Sequence, residues 1–173
     1  MTHPERFWIG PNYSDRRFLV LGESWYGEYA GNLVTDDGYI RAYLEGSQPD
    51  PMYSRIANAC MEDSSLLARR KYWNAVMFTN FVQCVGETRA NRPTIAIYKA
   101  ARARLAGLLV SHKPSGVWIL GKEQSEYSAP VAKEVGIPVE VSAHPTSYGL
   151  NNSALGASWK ALLAKLQPCD RDQ

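Results

Sequence analysis

The stretch 18-FLVLGESWYGEYAG-31 sets four apolar residues against Gly22 and follows them with Glu, Ser, Trp and Tyr. Consecutive apolar positions read as a strand covered on both faces, not one that alternates between core and water. A buried strand that ends in glycine and then offers polar and aromatic groups presents a tip that can hold a ligand. Glu23 and Ser24 are the first side chains at that tip.

Three further runs share the pattern: 73-WNAVMFTNFV-82, 116-GVWILG-121 and 137-IPVEVSAH-144. Each is too short for a buried helix and closes on Gly, Asn or His-Pro. Helical periodicity separates them. In 95-IAIYKAARARLAGLLVSH-112, Ile97, Tyr98, Ala101, Leu105, Leu108 and Leu109 share one face, and Lys113-Pro114 ends the helix. A shorter helix is expected over 124–136, stopped by Gly136, with Pro130 in its first turn or splitting it. Ser153 reads as the N-cap of a helix over 154–167. Residues 39–72 carry more helical material, interrupted by 46-GSQPDP-51. The alternation predicts a single α/β domain over 1–173. Its expected form is a three-layer α/β/α sandwich around a central, mainly parallel, four-stranded sheet. Ligands of such sheets bind beyond the carboxyl ends of the strands. Residues 22–27, 79–83, 121–124 and 144–149 then share one rim.

Composition narrows the class. The chain has 173 residues, 45% hydrophobic and 21% charged, ordinary values for a folded domain. No apolar run approaches the roughly 18 residues needed to span a bilayer. The stretch 1-MTHPERFWIGPNYSDRRF-18 lacks the basic segment and apolar core of a secretory signal. Cys60, Cys84 and Cys169 are widely spaced, which suggests reduced thiols in a cytoplasmic protein and no zinc site. A net charge of +2 permits a polyanionic partner without requiring one.

Two rim residues can do chemistry. His144 ends the last strand, where an imidazole can face a bound ligand; otherwise it donates to a nearby carbonyl and does nothing more. Asn80 either caps a loop or offers a donor and an acceptor, side by side, to a planar ring with amide-like edges.

In order and spacing, these pieces resemble the uracil-DNA glycosylase superfamily from Arg17 to about Trp159. They are a first strand ending in Gly-Glu-x-x-Tyr/Gly, a second ending in Thr-Asn, a later Leu-Gly strand and a His-Pro-Thr loop. Residues 78-FTNFVQCVGETRANRP-93 are similar to the iron–sulfur branch of that superfamily. The resemblance implies a DNA glycosylase that hydrolyses the N-glycosidic bond of uracil or another deaminated or damaged base. Its partner would be DNA with a flipped or single-stranded base. By the same resemblance, Gly22 and the backbone of Glu23 and Ser24 would cradle a pyrimidine carbonyl edge. Tyr26 would exclude the methyl group of thymine by clash. Asn80 would bond O4 and N3, and His144 would donate to O2 as charge develops on the departing base. Tyr39 is the candidate to stack on the base. Tyr148 would fill the hole left by a flipped nucleotide.

The departures from the family pattern matter as much. Ser24 stands where the main branch has a water-positioning aspartate; Glu23 or Glu28 could supply that charge instead. Only Cys84 coincides with a cluster ligand, and an iron–sulfur cluster needs four, so no cofactor is expected. The loop 145-PTSYGLNNSALG-156 has no Lys or Arg, although basic side chains provide most salt-sensitive DNA affinity. Arg89 and Arg92 are the leading phosphate contacts; further basic residues are Arg69, Arg70 and Lys71 before the second strand and Lys122 after the third. A second reading therefore stands beside the enzyme: a non-catalytic protein of the same fold that binds a nucleobase, nucleotide or nucleic-acid end. Protein partners are not legible.

Overall fold

Along 18-FLVLG-22, side chains alternate between two dry faces. Phe18 and Val20 enter one apolar cluster, Leu19 and Leu21 the other. The computed structural model of the chain describes residues 7–26, 36–83, 85–86 and 92–166. The strands are β1 (Trp8–Ile9), β2 (Phe18–Gly22), β3 (Trp25–Tyr26), β4 (Val76–Asn80), β5 (Val85–Gly86), β6 (Gly116–Leu120) and β7 (Val139–Ser142). The helices are α1 (Asp36–Glu45), α2 (Pro51–Met61), α3 (Leu66–Asn74), α4 (Ile95–His112), α5 (Lys122–Glu134) and α6 (Asn152–Leu166).

The main sheet has five strands in the order β1-β4-β2-β6-β7. Its four inner and far-edge strands run parallel, as expected, with Phe18 opposite Val76 and Gly116, and Val117 opposite Val139. The fifth, β1, pairs antiparallel to β4 with Trp8 opposite Phe78. Two residues are too few to show a period, so this edge was not legible as a strand. It is held by burial of Trp8, whose indole N–H donates to the Trp73 carbonyl at 2.7 Å. A separate two-stranded parallel ribbon joins β3 to β5.

Helices cover both faces. Residues of α1, α2, α3 and α6 pack on the side of Phe18, Val20, Phe78 and Trp118. Those of α4 and α5 pack on the side of Leu19, Leu21, Met77 and Ile119. The result is a three-layer α/β/α arrangement around a mixed sheet.

Three sequence expectations need correction. The apolar run 73–82 is not all strand: Trp73 and Asn74 finish α3, which starts where the Ser65 hydroxyl accepts the Ala68 N–H at 3.1 Å. Periodicity cannot tell the last turn of a buried helix from the first residues of a buried strand. Next, α5 starts at Lys122, directly after Gly121, so Pro130 sits inside the helix instead of in its first turn or at a break. Proline leaves the carbonyl four residues back without its helical donor, a cost of about 3 kcal/mol; burial of Ala129, Val131 and Ala132 offsets it. Gly136 closes the turn after this helix at φ +73°, with Gly136 N–H on the Lys133 carbonyl and Ile137 N–H on that of Ala132. Last, α6 is capped by Asn151, whose Oδ1 accepts the Ala154 N–H at 2.7 Å, leaving Ser153 inside the first turn.

No helix of the described residues is long and apolar enough to cross a membrane. Several buried hydroxyls and one thiol tie the fold to pH. Burial holds the Tyr13 phenol at about 12 and pushes Tyr72 and Cys60 well above their ordinary values. Burial also raises Tyr39 and Tyr43. A group whose ionisation is raised by folding contributes stability that is complete below its unfolded value and is lost as pH climbs toward the folded one. Those unfolded values are 9.0 for the thiol and 10.0 for the phenols. The melting temperature should therefore hold steady near neutrality and fall steadily above about pH 9. A flat profile through about pH 11, measured by circular dichroism, would contradict this.

Candidate functional site

A cavity of about 570 Å³ opens beyond the carboxyl ends of the strands. Gly22, Glu23 and Ser24 line it from the end of β2, Asn80 from β4, and His144 and Thr146 from the loop after β7. Tyr39 of α1 and Asp50, which precedes α2, close another wall. Of the four expected rim stretches, 121–124 does not line it; Leu120 just before does. Gln124 instead folds beneath the strand tips, its amide N–H donating to the Leu21 and Leu120 carbonyls at 3.2 and 3.0 Å.

Asn80 is the most constrained reader. It ends β4 in register with Gly22 and is 7% exposed. Among the described residues no hydrogen-bond partner meets its side-chain amide, while its backbone is firmly held. Its carbonyl accepts Gln83 Nε2 at 2.8 Å and Arg104 Nη1 at 3.2 Å. Arg104 Nη2 also donates to Thr79 Oγ1 at 2.8 Å. The amide therefore presents a donor and an acceptor, side by side, to the cavity it lines. Gly22 makes the placement possible. A Cβ there would lie 2.3 Å from Asn80 Oδ1.

Glu23 is 8% exposed, and the Tyr98 hydroxyl donates to its Oε1 at 2.6 Å. It is a cavity carboxylate anchored from α4, not a solvated loop charge. Ser24 lines the cavity beside it, half-buried.

His144 sits two residues past the end of β7. The Thr146 N–H donates to its Nδ1 at 3.3 Å, with Thr146 Oγ1 2.8 Å from the same nitrogen. Accepting at Nδ1 leaves the neutral ring's proton on Nε2, where the imidazole acts as a donor. The loop is tied to α2 by Arg55, which donates to the Pro145 and Leu150 carbonyls and, at 3.0 Å, to Asn152 Oδ1.

Tyr39 lines the cavity from α1. Its hydroxyl donates to Asp50 Oδ2 at 3.1 Å, and its ring meets Tyr53 edge-on at 5.6 Å. Asp50 also caps α2, accepting the Tyr53 N–H at 2.9 Å. Arg92 lies at the cavity but is paired with Glu123 at 3.0 Å. Tyr148 is fully exposed and is not part of the lining. Arg69 and Arg70 are engaged by Asn58 Oδ1 and the Leu44 carbonyl. Arg89, Glu28, Cys84, Cys169 and the side chain of Tyr26 lie outside what the structure describes; the backbone of Tyr26 is in β3. Among the described residues no group of three His, Cys, Asp or Glu side chains converges as a metal site.

Asp50, Arg55, Gln83 and Arg104 were missed in the sequence. Only Arg104 carried a signal: it lies three residues from Ala101 and four from Leu108, on the inward stripe of its helix.

No protein-family model matches the chain, and no curated protein matches it at a significant level. The Gly22–Asn80 approach offers the sharpest test of the site's construction. Gly22→Ala should lower stability by about 1–3 kcal/mol through overpacking and should displace the Asn80 side chain. Urea denaturation reads the first effect and the Asn80 amide resonance the second; an unchanged amide environment would contradict the geometry.

Proposed function

We propose that this chain is a uracil-DNA glycosylase-like enzyme that hydrolyses the N-glycosidic bond of uracil or another deaminated or damaged base. The observation that carries the reading is the amide of Asn80, a residue only 7% exposed, in the same cavity as a histidine whose Nδ1 accepts a backbone N–H. An amide offers a donor beside an acceptor, the complement of the N3–H and O4 edge of uracil. The Nε2–H of His144 is the natural donor to the base carbonyl that gains charge as the bond to C1′ breaks. One preorganised donor of this kind is worth about 10²–10³-fold in rate. Water then adds to C1′ and loses its proton. Ser24 cannot act as a general base, which typically contributes about 10²–10⁴-fold; Glu23, held by Tyr98, is the carboxylate we assign to that role. Tyr39 supplies an aromatic wall for the base. Arg92 and Arg89 are the proposed phosphate contacts.

The second reading, base binding without turnover, is favoured by two observations: Ser24 at the strand tip, and the pairing of Arg92 with Glu123, which reduces the positive charge available for a DNA backbone. Oligonucleotides carrying uracil, hypoxanthine, xanthine or a mismatch, treated with enzyme and then alkali, separate the two. The enzyme reading expects cleavage at one of these bases and a loss of about 10²-fold or more in His144→Ala. Equal background cleavage by wild type and variant across the panel would contradict it.

A further inference from the structure

We propose that Glu123 is a built-in competitor for nucleic-acid phosphate: its carboxylate holds the Arg92 guanidinium beside the cavity and yields it when the phosphate of a strand arrives. The inference rests on reading the cavity as a pocket for a base still attached to its strand.

Arg92 is the one Lys or Arg side chain among the described lining residues. The loop 145–156 beyond His144 has neither. Arg104, the guanidinium at the tip of β4, is engaged by the Asn80 carbonyl and the Thr79 hydroxyl. Among the described residues, Arg92 is therefore the contact that the cavity offers to a phosphate. Glu123 stands in the way. Its Oε2 lies 3.0 Å from Arg92 Nη1, and among the described residues this is the only hydrogen bond of that guanidinium. A carboxylate presents the fork of an arginine with two oxygens sharing one negative charge, as a phosphodiester does. Glu123 thus occupies Arg92 with the chemistry of the ligand.

The pair is built to exchange. The Arg92 side chain is 65% exposed and that of Glu123 51%. Exposed ion pairs contribute little and are weakened further by salt. Glu123 uses one of the five donors of Arg92, whereas a phosphate can take two in parallel. The consequence is specificity. Phosphate contacts supply most of the affinity that proteins show for any strand, whatever its sequence. A strand that offers only phosphate must displace Glu123 for that single contact. One that also places a base against Asn80 gains the base contact as well. The pair lowers affinity for every strand by the same factor and leaves the base to decide which strand is retained.

Fluorescence anisotropy with a labelled single strand carrying 2′-fluoro-2′-deoxyuridine tests the inference. The electron-withdrawing fluorine keeps the base attached, so binding is read separately from turnover. At about 0.1 M salt, exposed charges more than about 10 Å apart are largely screened. Glu123→Gln should tighten binding about two- to fivefold, the worth of one exposed ion pair. Arg92→Ala should weaken binding and flatten the slope of log affinity against log salt by about 0.7. In the Arg92→Ala background, Glu123→Gln should gain nothing. Glu126→Gln, the same charge change at an exposed position one turn along α5, should leave affinity unchanged. Melting temperatures check that each variant is folded. Wild-type affinity in Glu123→Gln would overturn the inference, as would a gain that persists without Arg92 or that Glu126→Gln reproduces. Each of these results, with the strand bound by wild type, leaves the pocket reading intact. Failure of wild type and every variant to bind the strand would remove both.

Discussion

The structure turns on the parallel pairing of β2 with β4, which sets Gly22 opposite Asn80 at the carboxyl edge of the sheet. Only a residue without Cβ leaves the Asn80 side chain its place, since an added carbon would sit 2.3 Å from Oδ1. The pairing continues past the strands, with the Phe81 N–H on the Gly22 carbonyl and the Val82 N–H on that of Glu23. Backbone hydrogen bonds therefore define the tip of the pocket before any side chain contributes. A shift of one residue in this register would turn every side chain of β2 to the opposite layer. With Val20 and Leu21 both fully buried, in different clusters, the core prevents that shift.

The rest of the site is held from outside the sheet. Arg55 reaches from α2 to the loop that carries His144, and Arg104 reaches from α4 to the tip of β4. Tyr98 and Tyr39 fix the two carboxylates. The two carboxylates, and the backbone that carries Asn80 and His144, are thus held by partners on helices or beside them, an arrangement that limits reorganisation when a ligand binds. The same partners give the cavity its character, aromatic and hydrogen-bonding.

How much of this was legible in the sequence follows from distance along the chain. The strands β2 and β6 showed because they are apolar at nearly every position, and the helix over 95–112 because its stripe is long. The edge strand Trp8–Ile9 was hidden by its length, and the cap of the last helix was placed at Ser153, two residues past the Asn151 that accepts the Ala154 N–H. Gly22, Glu23, Asn80 and His144 were legible because strand ends are sequence-local features. Asp50 and Arg55 were not, because their relation to the cavity arises from contacts such as that between Arg55 and Pro145, 90 residues apart. Arg92 was read as a free cation; its partner Glu123 lies on a helix that begins 30 residues later.

The central claim is that the Asn80 amide reads a planar ring inside the cavity. The most direct measurement is a nuclear magnetic resonance titration of the Asn80 side-chain NH₂ pair, assigned by its disappearance in Asn80→Asp, with uracil as ligand. The expected result is a saturable downfield shift of one amide proton as it gains a hydrogen bond. An Asn80 pair that stays in place, at concentrations that perturb resonances elsewhere in the protein, would contradict the claim.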